Sequence, residues 1–68
     1  MALSARNQLK GTVKSVVLGT VMAEVAVDVG GGNEMISVIT RHAVGHLGIS
    51  AGDAVTVVVK STEVMLEK

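Results

Sequence analysis

The sequence predicts an all-β domain, a five-stranded barrel with one short helix between strands 3 and 4. Three observations support this fold. Apolar and polar residues alternate with a period of two in several segments. Valine is the main apolar residue, and the aromatic content is 0%. Glycine-containing turns separate the alternating segments. Because a chain of 68 residues holds only one core, we expect a single domain over residues 1–68.

The first two strands are expected to form a hairpin. Residues 21–29 alternate between valine or alanine on one side and mostly polar residues on the other, which predicts a strand. Residues 11–18 supply the preceding strand, and Gly19-Thr20 offers a tight connection between the two. The alternation of the first strand slips at Val16-Val17, so a bulge or bend is predicted there.

A glycine-rich turn introduces the third strand. Gly30-Gly31-Gly32-Asn33 predicts a turn, because Gly and Asn adopt positive φ angles readily. Residues 34–40 then alternate again, so they are predicted to form a strand. Its two faces carry Ile36 and Val38 on one side and Met35, Ser37 and Ile39 on the other.

The helix and the last two strands complete the barrel. Thr40 is a favourable N-cap and Gly48 a favourable C-terminal stop, so a helix of about two turns is expected between them. Residues 53–60 alternate through valines, and residues 62–66 predict a closing fifth strand after a bend at Ser61. The order β-β-β-α-β-β is that of a Greek-key barrel of the OB type, with an SH3-like barrel as the nearest alternative.

Composition excludes several classes of function. A net charge of +0 and the absence of aromatic residues argue against a nucleic-acid partner. No apolar run is long enough for a membrane span and no signal-peptide pattern begins the chain, so no membrane contact and a cytoplasmic location are expected. With no cysteine, disulfides cannot stabilise so small a core, and association with identical copies is expected instead.

Neither a metal site nor an enzyme active site is predicted. His42 and His46 are spaced to ligate zinc together, but no further ligand pattern completes the site. The carboxylates are scattered, with no nucleophile and base beside them, so catalysis is not expected. If either histidine lies near a bound anion, the affinity for the anion is expected to be modestly higher at acidic pH, because a protonated imidazole attracts an anion.

Two short segments concentrate hydrogen-bond donors and cations. They are Ser4-Ala5-Arg6-Asn7 and Lys60-Ser61-Thr62. Such groups suit a tetrahedral oxyanion, which only accepts hydrogen bonds and carries negative charge. A binding site of this kind must be local, because the chain has no overall positive charge. An arm that carries Arg6 is not expected to close a pocket on its own small barrel, so a neighbouring copy is expected to complete it.

The same residues carry a resemblance to a known family. Ser4-Ala5-Arg6-Asn7, followed by Leu9-Lys10-Gly11-Thr12-Val13, resembles the opening of the molbindins, also called molybdenum-pterin-binding proteins or Mop domains, a TOBE-type molybdate-binding domain. The likeness continues through Ala23-Glu24-Val25, Ser37-Val38-Ile39-Thr40, Leu47-Gly48-Ile49 with Gly52, and Val59-Lys60-Ser61 with Val64. One departure is Ala43, three positions after Thr40, where the family often has a hydroxyl residue.

This resemblance implies a molybdate or tungstate binder for intracellular storage and homeostasis. It implies an OB-like barrel assembled into a homohexamer, a trimer of dimers, with the oxyanions at subunit interfaces and no direct protein ligands to the metal. The oxyanion-binding residues that it implies are Ser4, Ala5, Arg6, Asn7, Thr40, Lys60 and Ser61. The alternatives are an OB-type nucleic-acid or protein-interaction module and a binder of a molybdenum-pterin compound. No organic cofactor is expected, because no aromatic side chain is present to stack on a pterin ring.

Overall fold

A computed structural model of the protein describes residues 5–68. Its elements in chain order are strands β1 (Asn7–Leu18), β2 (Met22–Gly30) and β3 (Asn33–Thr40), helix α1 (Arg41–Leu47), strand β4 (Ala54–Val59) and a 3₁₀ turn (Ser61–Glu63). The strands form one antiparallel sheet in the order β3-β2-β1-β4. The fold is therefore mostly sheet, as predicted, with the helix between the third and fourth strands.

Strand β1 is the longest strand and pairs with both of its neighbours in the curled sheet. Its first half pairs with β4, from Asn7 opposite Val59 to Thr12 opposite Ala54. Its second half pairs with β2, from Thr12 opposite Asp28 to Leu18 opposite Ala23. Because the two halves of one strand have different partners, β4 and the β2–β3 hairpin are displaced along β1 and curve towards each other. The result is a half-barrel.

A β-bulge in β1 lies between Val13 and Ser15, whereas the sequence predicted it at Val16-Val17. Burial explains the position. Val13 is 2% exposed and Val16 also packs against the core, yet the two residues are three positions apart. An odd separation puts side chains on opposite faces of a regular strand, so one extra residue must lie between them. Lys14 is that residue, and it is exposed to solvent.

Both predicted hairpin turns are present. The amide of Gly19 donates to the carbonyl of Met22 over 2.8 Å, which closes the first turn and starts β2 one residue later than predicted. In the second turn Gly30 pairs with Asn33. Between them Gly31 and Gly32 have φ angles of 63° and 77°. Two consecutive positive φ angles are characteristic of a type I′ turn, which suits the twist of a hairpin and favours glycine.

The helix has the predicted caps. The Thr40 hydroxyl accepts a hydrogen bond from the Ala43 amide over 3.0 Å. Gly48 ends the helix in the left-handed conformation, with φ 66°. Val44 is the buried residue of the helix and joins a core otherwise formed by the sheet. That core consists of Val13, Ala23, Val25, Val27 and Val44, with partly buried aliphatic residues around it. Within residues 5–68, no helix is long and apolar enough to cross a bilayer.

The predicted fifth strand at residues 62–66 is not formed. The chain instead makes the 3₁₀ turn Ser61–Glu63, and residues 64–68 continue without strand pairing. The half-barrel is consequently open between its edge strands β3 and β4. Met65 and Leu66 are 92% and 94% exposed, so the tail adds almost nothing to the core of its own chain. Residues 64–68 could form a strand only by pairing with another strand, and they pair with none of the strands β1 to β4.

Candidate functional site

The first polar cluster forms where the start of β1 meets the end of β4. Asn7 is paired with Val59, so Lys60 and Ser61, which follow Val59, lie beside the residues around Asn7. Nδ2 of Asn7 donates to Oγ of Ser61 over 3.4 Å, a long hydrogen bond that links the two predicted donor segments. The pairing of β1 with β4 thus brings together residues more than fifty positions apart in the sequence.

An open groove of about 500 Å³ lies against this cluster. Its lining residues are Arg6, Asn7, Gln8, Leu9, Met35, Val59, Glu63 and Val64. Half of these residues are polar or charged, including Arg6 and Asn7, and the other half are apolar. Arg6 and Asn7 are exposed, so both can turn towards a ligand without losing a buried contact. The groove is wide and open compared with a small tetrahedral ion.

The charged residues at and beside this groove leave one net positive charge within one chain. Arg6 contributes one positive charge and Glu63 one negative charge to the lining, and Lys60 adds a second cation beside it. The cluster offers more hydrogen-bond donors than positive charges. Arginine offers several N–H groups, and Ser61 keeps its hydroxyl hydrogen free because its oxygen is the acceptor from Asn7. The arrangement can hydrogen-bond an oxyanion but does not by itself neutralise two negative charges.

Of the two other residues in the predicted N-terminal motif, the structure describes Ala5 but not Ser4. Ser4 lies outside the described residues. The carbonyl of Ala5 accepts a hydrogen bond from Nε2 of Gln8 over 3.0 Å. Gln8 was not among the predicted site residues, although it both lines the groove and holds the chain around Ala5. Its position three residues after Ala5, at the start of a strand, was the signal available in the sequence.

Thr40 lies at the opposite end of β1 from this groove. It pairs with Met22, next to the end of β1 at Leu18, whereas the groove surrounds Asn7 at the beginning of that strand. Strand β1 runs for 12 residues between these two ends, and Thr40 is not among the residues that line the groove. Within one chain the structure therefore brings Arg6, Asn7, Lys60 and Ser61 together and leaves Thr40 apart from them.

Thr40 borders a second open depression of about 810 Å³ at the helix. Its lining residues are Thr20, Val21, Thr40, Arg41, His42, Gly45 and His46. Nη1 of Arg41 donates to the carbonyl of Gly19 over 3.3 Å, which places this cation beside the first hairpin turn. Sequence reasoning did not single out Arg41, although it follows the helix cap directly. The Thr40 hydroxyl accepts from Ala43 and still has its own hydrogen to donate.

A small antiparallel half-barrel with donor groups gathered at one strand end defines a ligand-binding β domain, and the comparisons with known proteins specify its class. The chain matches the TOBE domain family over residues 3–66. It is 48% identical over 66 residues to molybdenum-pterin-binding protein 2 of Clostridium pasteurianum, covering 97% of each chain. The chain therefore belongs to the TOBE domain family, among the molybdenum-pterin-binding proteins.

Solved structures of similar proteins agree with this assignment. The structure of a molybdate-binding protein from Sporomusa ovata superposes with a TM-score of 0.94 at 44% identity, covering 100% of both chains. The cytoplasmic molybdate-binding protein ModG, in a crystal form with molybdate bound, superposes with a TM-score of 0.86 at 44% identity. That match covers 90% of this chain and 43% of ModG.

Proposed function

We propose that this protein binds molybdate or tungstate as an intact oxyanion and has a binding rather than a catalytic role. The observation that carries the proposal is that Arg6 and Asn7 line one groove and that Asn7 is joined to Ser61 by a hydrogen bond. These groups supply N–H and O–H donors, which an oxyanion needs, and none is a soft ligand for the metal atom itself. The names of the relatives support molybdate as the ion, and tungstate is proposed beside it as an oxyanion of the same shape and charge.

The binding site is completed between subunits. A dianion at the groove of one chain meets Arg6 and Lys60 but also Glu63, and the groove is open to water, which screens the attraction. Donors from a second copy would enclose the ion and lower the local dielectric. Thr40 and Ser4 belong to the proposed site on this basis, with Thr40 contributed by a copy other than the one that supplies Arg6. The amides around Ala5 provide further donors.

The open side of the half-barrel supports assembly with copies of the same chain. A cleft of about 170 Å³ lies between the edge strands and is lined by inner-face apolar residues, of which Ile39, Val55 and Val57 are only partly buried. The tail carries Val64 and Leu66 two positions apart, the spacing that places both on one face of a strand. The tail of one copy can therefore pair with another copy and complete the five-stranded OB-like barrel. The proposed assembly is a homohexamer, a trimer of dimers.

An outward-facing row of the sheet also supports assembly. Val17, Glu24 and Val38 lie side by side on the outer face, and Ile36 is on the neighbouring row. Val17 and Val38 are both 63% exposed in the single chain, so apolar area remains for another subunit to cover. In a cell such an assembly would store molybdate and buffer its free concentration in the cytoplasm. Each chain contributes a single domain over residues 1–68 and needs no organic cofactor.

Thermal unfolding in the presence of different oxyanions tests the binding. A ligand at one hundred times its Kd stabilises the protein by about 2.7 kcal/mol. For a chain of this size that corresponds to a rise in Tm on the order of 10–20 °C. We expect this rise with molybdate and tungstate and a much smaller one with sulfate or phosphate. Arg6→Ala and Asn7→Ala should each remove most of the rise.

The matched control is Lys10→Ala, which deletes another exposed cation from β1 outside the groove and should leave the rise intact. Equal stabilisation by phosphate and molybdate would contradict the proposal. Full retention of the molybdate effect in Arg6→Ala would contradict the assigned site. Binding to an oligonucleotide that weakens as salt increases would favour the alternative of an OB-type nucleic-acid module.

Native mass spectrometry tests the location between subunits. Leu66→Glu places a charge on the tail and should reduce the hexamer to smaller species, while circular dichroism shows that the sheet persists. The affinity for molybdate should decrease as the fraction of protein in the hexamer decreases. Lys68→Glu alters charge in the same tail without touching its apolar residues and should leave both properties unchanged. A folded, dissociated Leu66→Glu chain that bound molybdate as tightly as the wild type would refute the intersubunit site.

A further inference from the structure

Two histidines on the exposed side of α1 form a pair that the oxyanion site does not use. His42 and His46 are four residues apart, so they lie one above the other on the same face of the helix. Their ring centroids are 6.2 Å apart and their planes are inclined by only 14°. Both side chains are exposed and border the same depression. Neither ring is needed for the core, which the helix contacts through Val44.

We propose that His42 and His46 together chelate a divalent transition-metal cation of the Zn²⁺, Ni²⁺ or Cu²⁺ type. Imidazole nitrogens bind such ions at about 2.0–2.1 Å. Two imidazoles on one tetrahedral ion then have centroids about 5 Å apart. The observed spacing exceeds that value by about 1 Å. Because the rings are stacked and nearly parallel, their in-plane nitrogen lone pairs do not converge on one point in the observed rotamers. Rotation about the side-chain bonds of the two exposed histidines can both turn the rings and close this gap without moving the helix backbone.

The surroundings define the kind of site that results. Within residues 5–68 no cluster of three or more His, Cys, Asp or Glu side chains is placed to hold a metal ion. The protein therefore supplies two ligands in each chain, and water fills the remaining positions. Arg41 is the nearest cation by sequence, but its guanidinium is hydrogen-bonded to the Gly19 carbonyl at the hairpin turn. The histidine pair lies apart from the groove at Asn7 and would bind a cation, although Thr40, which the proposed oxyanion site includes, borders the same depression as the pair.

Chelation by two histidines has a measurable signature that distinguishes it from weak binding to separate imidazoles. The helix holds the second ring near an ion bound to the first, so the second contact is intramolecular and raises the affinity. Removing either ring should then weaken binding by about tenfold or more and should not simply halve the number of ions bound. Independent rings would show the opposite behaviour, with unchanged affinity and half the stoichiometry.

Calorimetric titration of the full-length protein with Zn²⁺, in a buffer without molybdate, measures this signature. The variants are His42→Ala, His46→Ala and the double substitution His46→Ala/Leu47→His. The last keeps two histidines but moves one to the other side of the helix, at a position that is 66% exposed and tolerates the change. We expect about one ion per wild-type chain and at least about tenfold weaker binding in all three variants.

Histidine NMR signals provide the second readout, because ring resonances of both residues should shift together on addition of Zn²⁺. Circular dichroism should show the same secondary structure in every variant, since both histidines are exposed. Wild-type affinity in His46→Ala/Leu47→His would overturn the proposal, as would single variants with unchanged affinity or a wild type that binds no Zn²⁺. The oxyanion proposal is unaffected by these outcomes, because the titration contains no oxyanion ligand.

Discussion

Gly11 occupies the most constrained glycine position in the sheet, and its replacement provides a quantitative test of the fold. It lies in β1 where the strand passes from its β4 partner to its β2 partner, opposite Val55 and next to the Thr12–Asp28 pair. A Cβ atom there would lie 2.6 Å from the carbonyl oxygen of Asp28 and 2.6 Å from a methyl group of Val27. A valine methyl can rotate away, whereas a carbonyl oxygen inside a strand cannot.

The expected cost of Gly11→Ala follows from these contacts. Forcing an extra carbon into a well-packed position costs about 1–3 kcal/mol. Replacing glycine also makes the unfolded chain less flexible, which returns about 0.4–1 kcal/mol. The free energy of unfolding should therefore fall by about 1–2 kcal/mol, which lowers Tm by roughly 5–15 °C for a domain of this size. The φ angle adds nothing to this cost, because Gly11 is not among the positive-φ glycines.

Gly45→Ala is the matched control, because the same chemical change is made where space is free. Gly45 is inside α1, and a Cβ there would meet no atom within 4 Å. Alanine in a helix interior is favoured over glycine by about 1 kcal/mol, so this variant should be more stable than the wild type. Urea unfolding at a fixed protein concentration measures both variants. A Gly11→Ala chain as stable as the wild type would refute the close approach of β1 to β2.

Two other substitutions test local features of the fold. Thr40→Ala removes the hydroxyl that accepts from the Ala43 amide and should lower the free energy of unfolding by about 1 kcal/mol, while Thr40→Ser should restore it; thermal unfolding measures both. The pKa of Lys14 lies above its ordinary value of 10.5, first because of its hydrogen bond to Glu34 and then because of that carboxylate's charge. A raised pKa means that the stabilisation is complete below about pH 10.5 and is lost as pH rises through the folded-state value. The urea midpoints of wild type and Lys14→Met should accordingly differ by a small constant amount between about pH 6 and 9 and converge only as the pH rises above about 10.5.

The strands were predictable because their periodicity and their turns agree. The valines of β2 alternate without interruption, and the glycines of the second turn are required by its positive φ angles. The helix was equally well specified, because Thr40 and Gly48 are capping residues that act locally. The bulge was misplaced because its position depends on which valine of β1 is buried against β2. Tertiary packing decides which valine is buried, and the spacing of Val13, Val16 and Val17 in the sequence does not reveal it.

The tail shows the limit of periodicity most clearly. Val64 and Leu66 have the spacing of a strand, but a strand forms only when another strand donates and accepts its backbone hydrogen bonds. The period-two spacing of apolar residues indicates which side chains of the tail would share a face, but it does not indicate which strand the tail would pair with. The same limit applies to the proposed oxyanion site. The strand pairing of Asn7 with Val59 explains why two distant polar segments meet, whereas no intrachain pairing brings Thr40 to them. The proposed assembly accounts for both the unpaired tail and the divided site, because in it a neighbour completes the barrel and the binding pocket. A loss of molybdate binding in Leu66→Glu but not in Lys68→Glu would show that the two features share one cause.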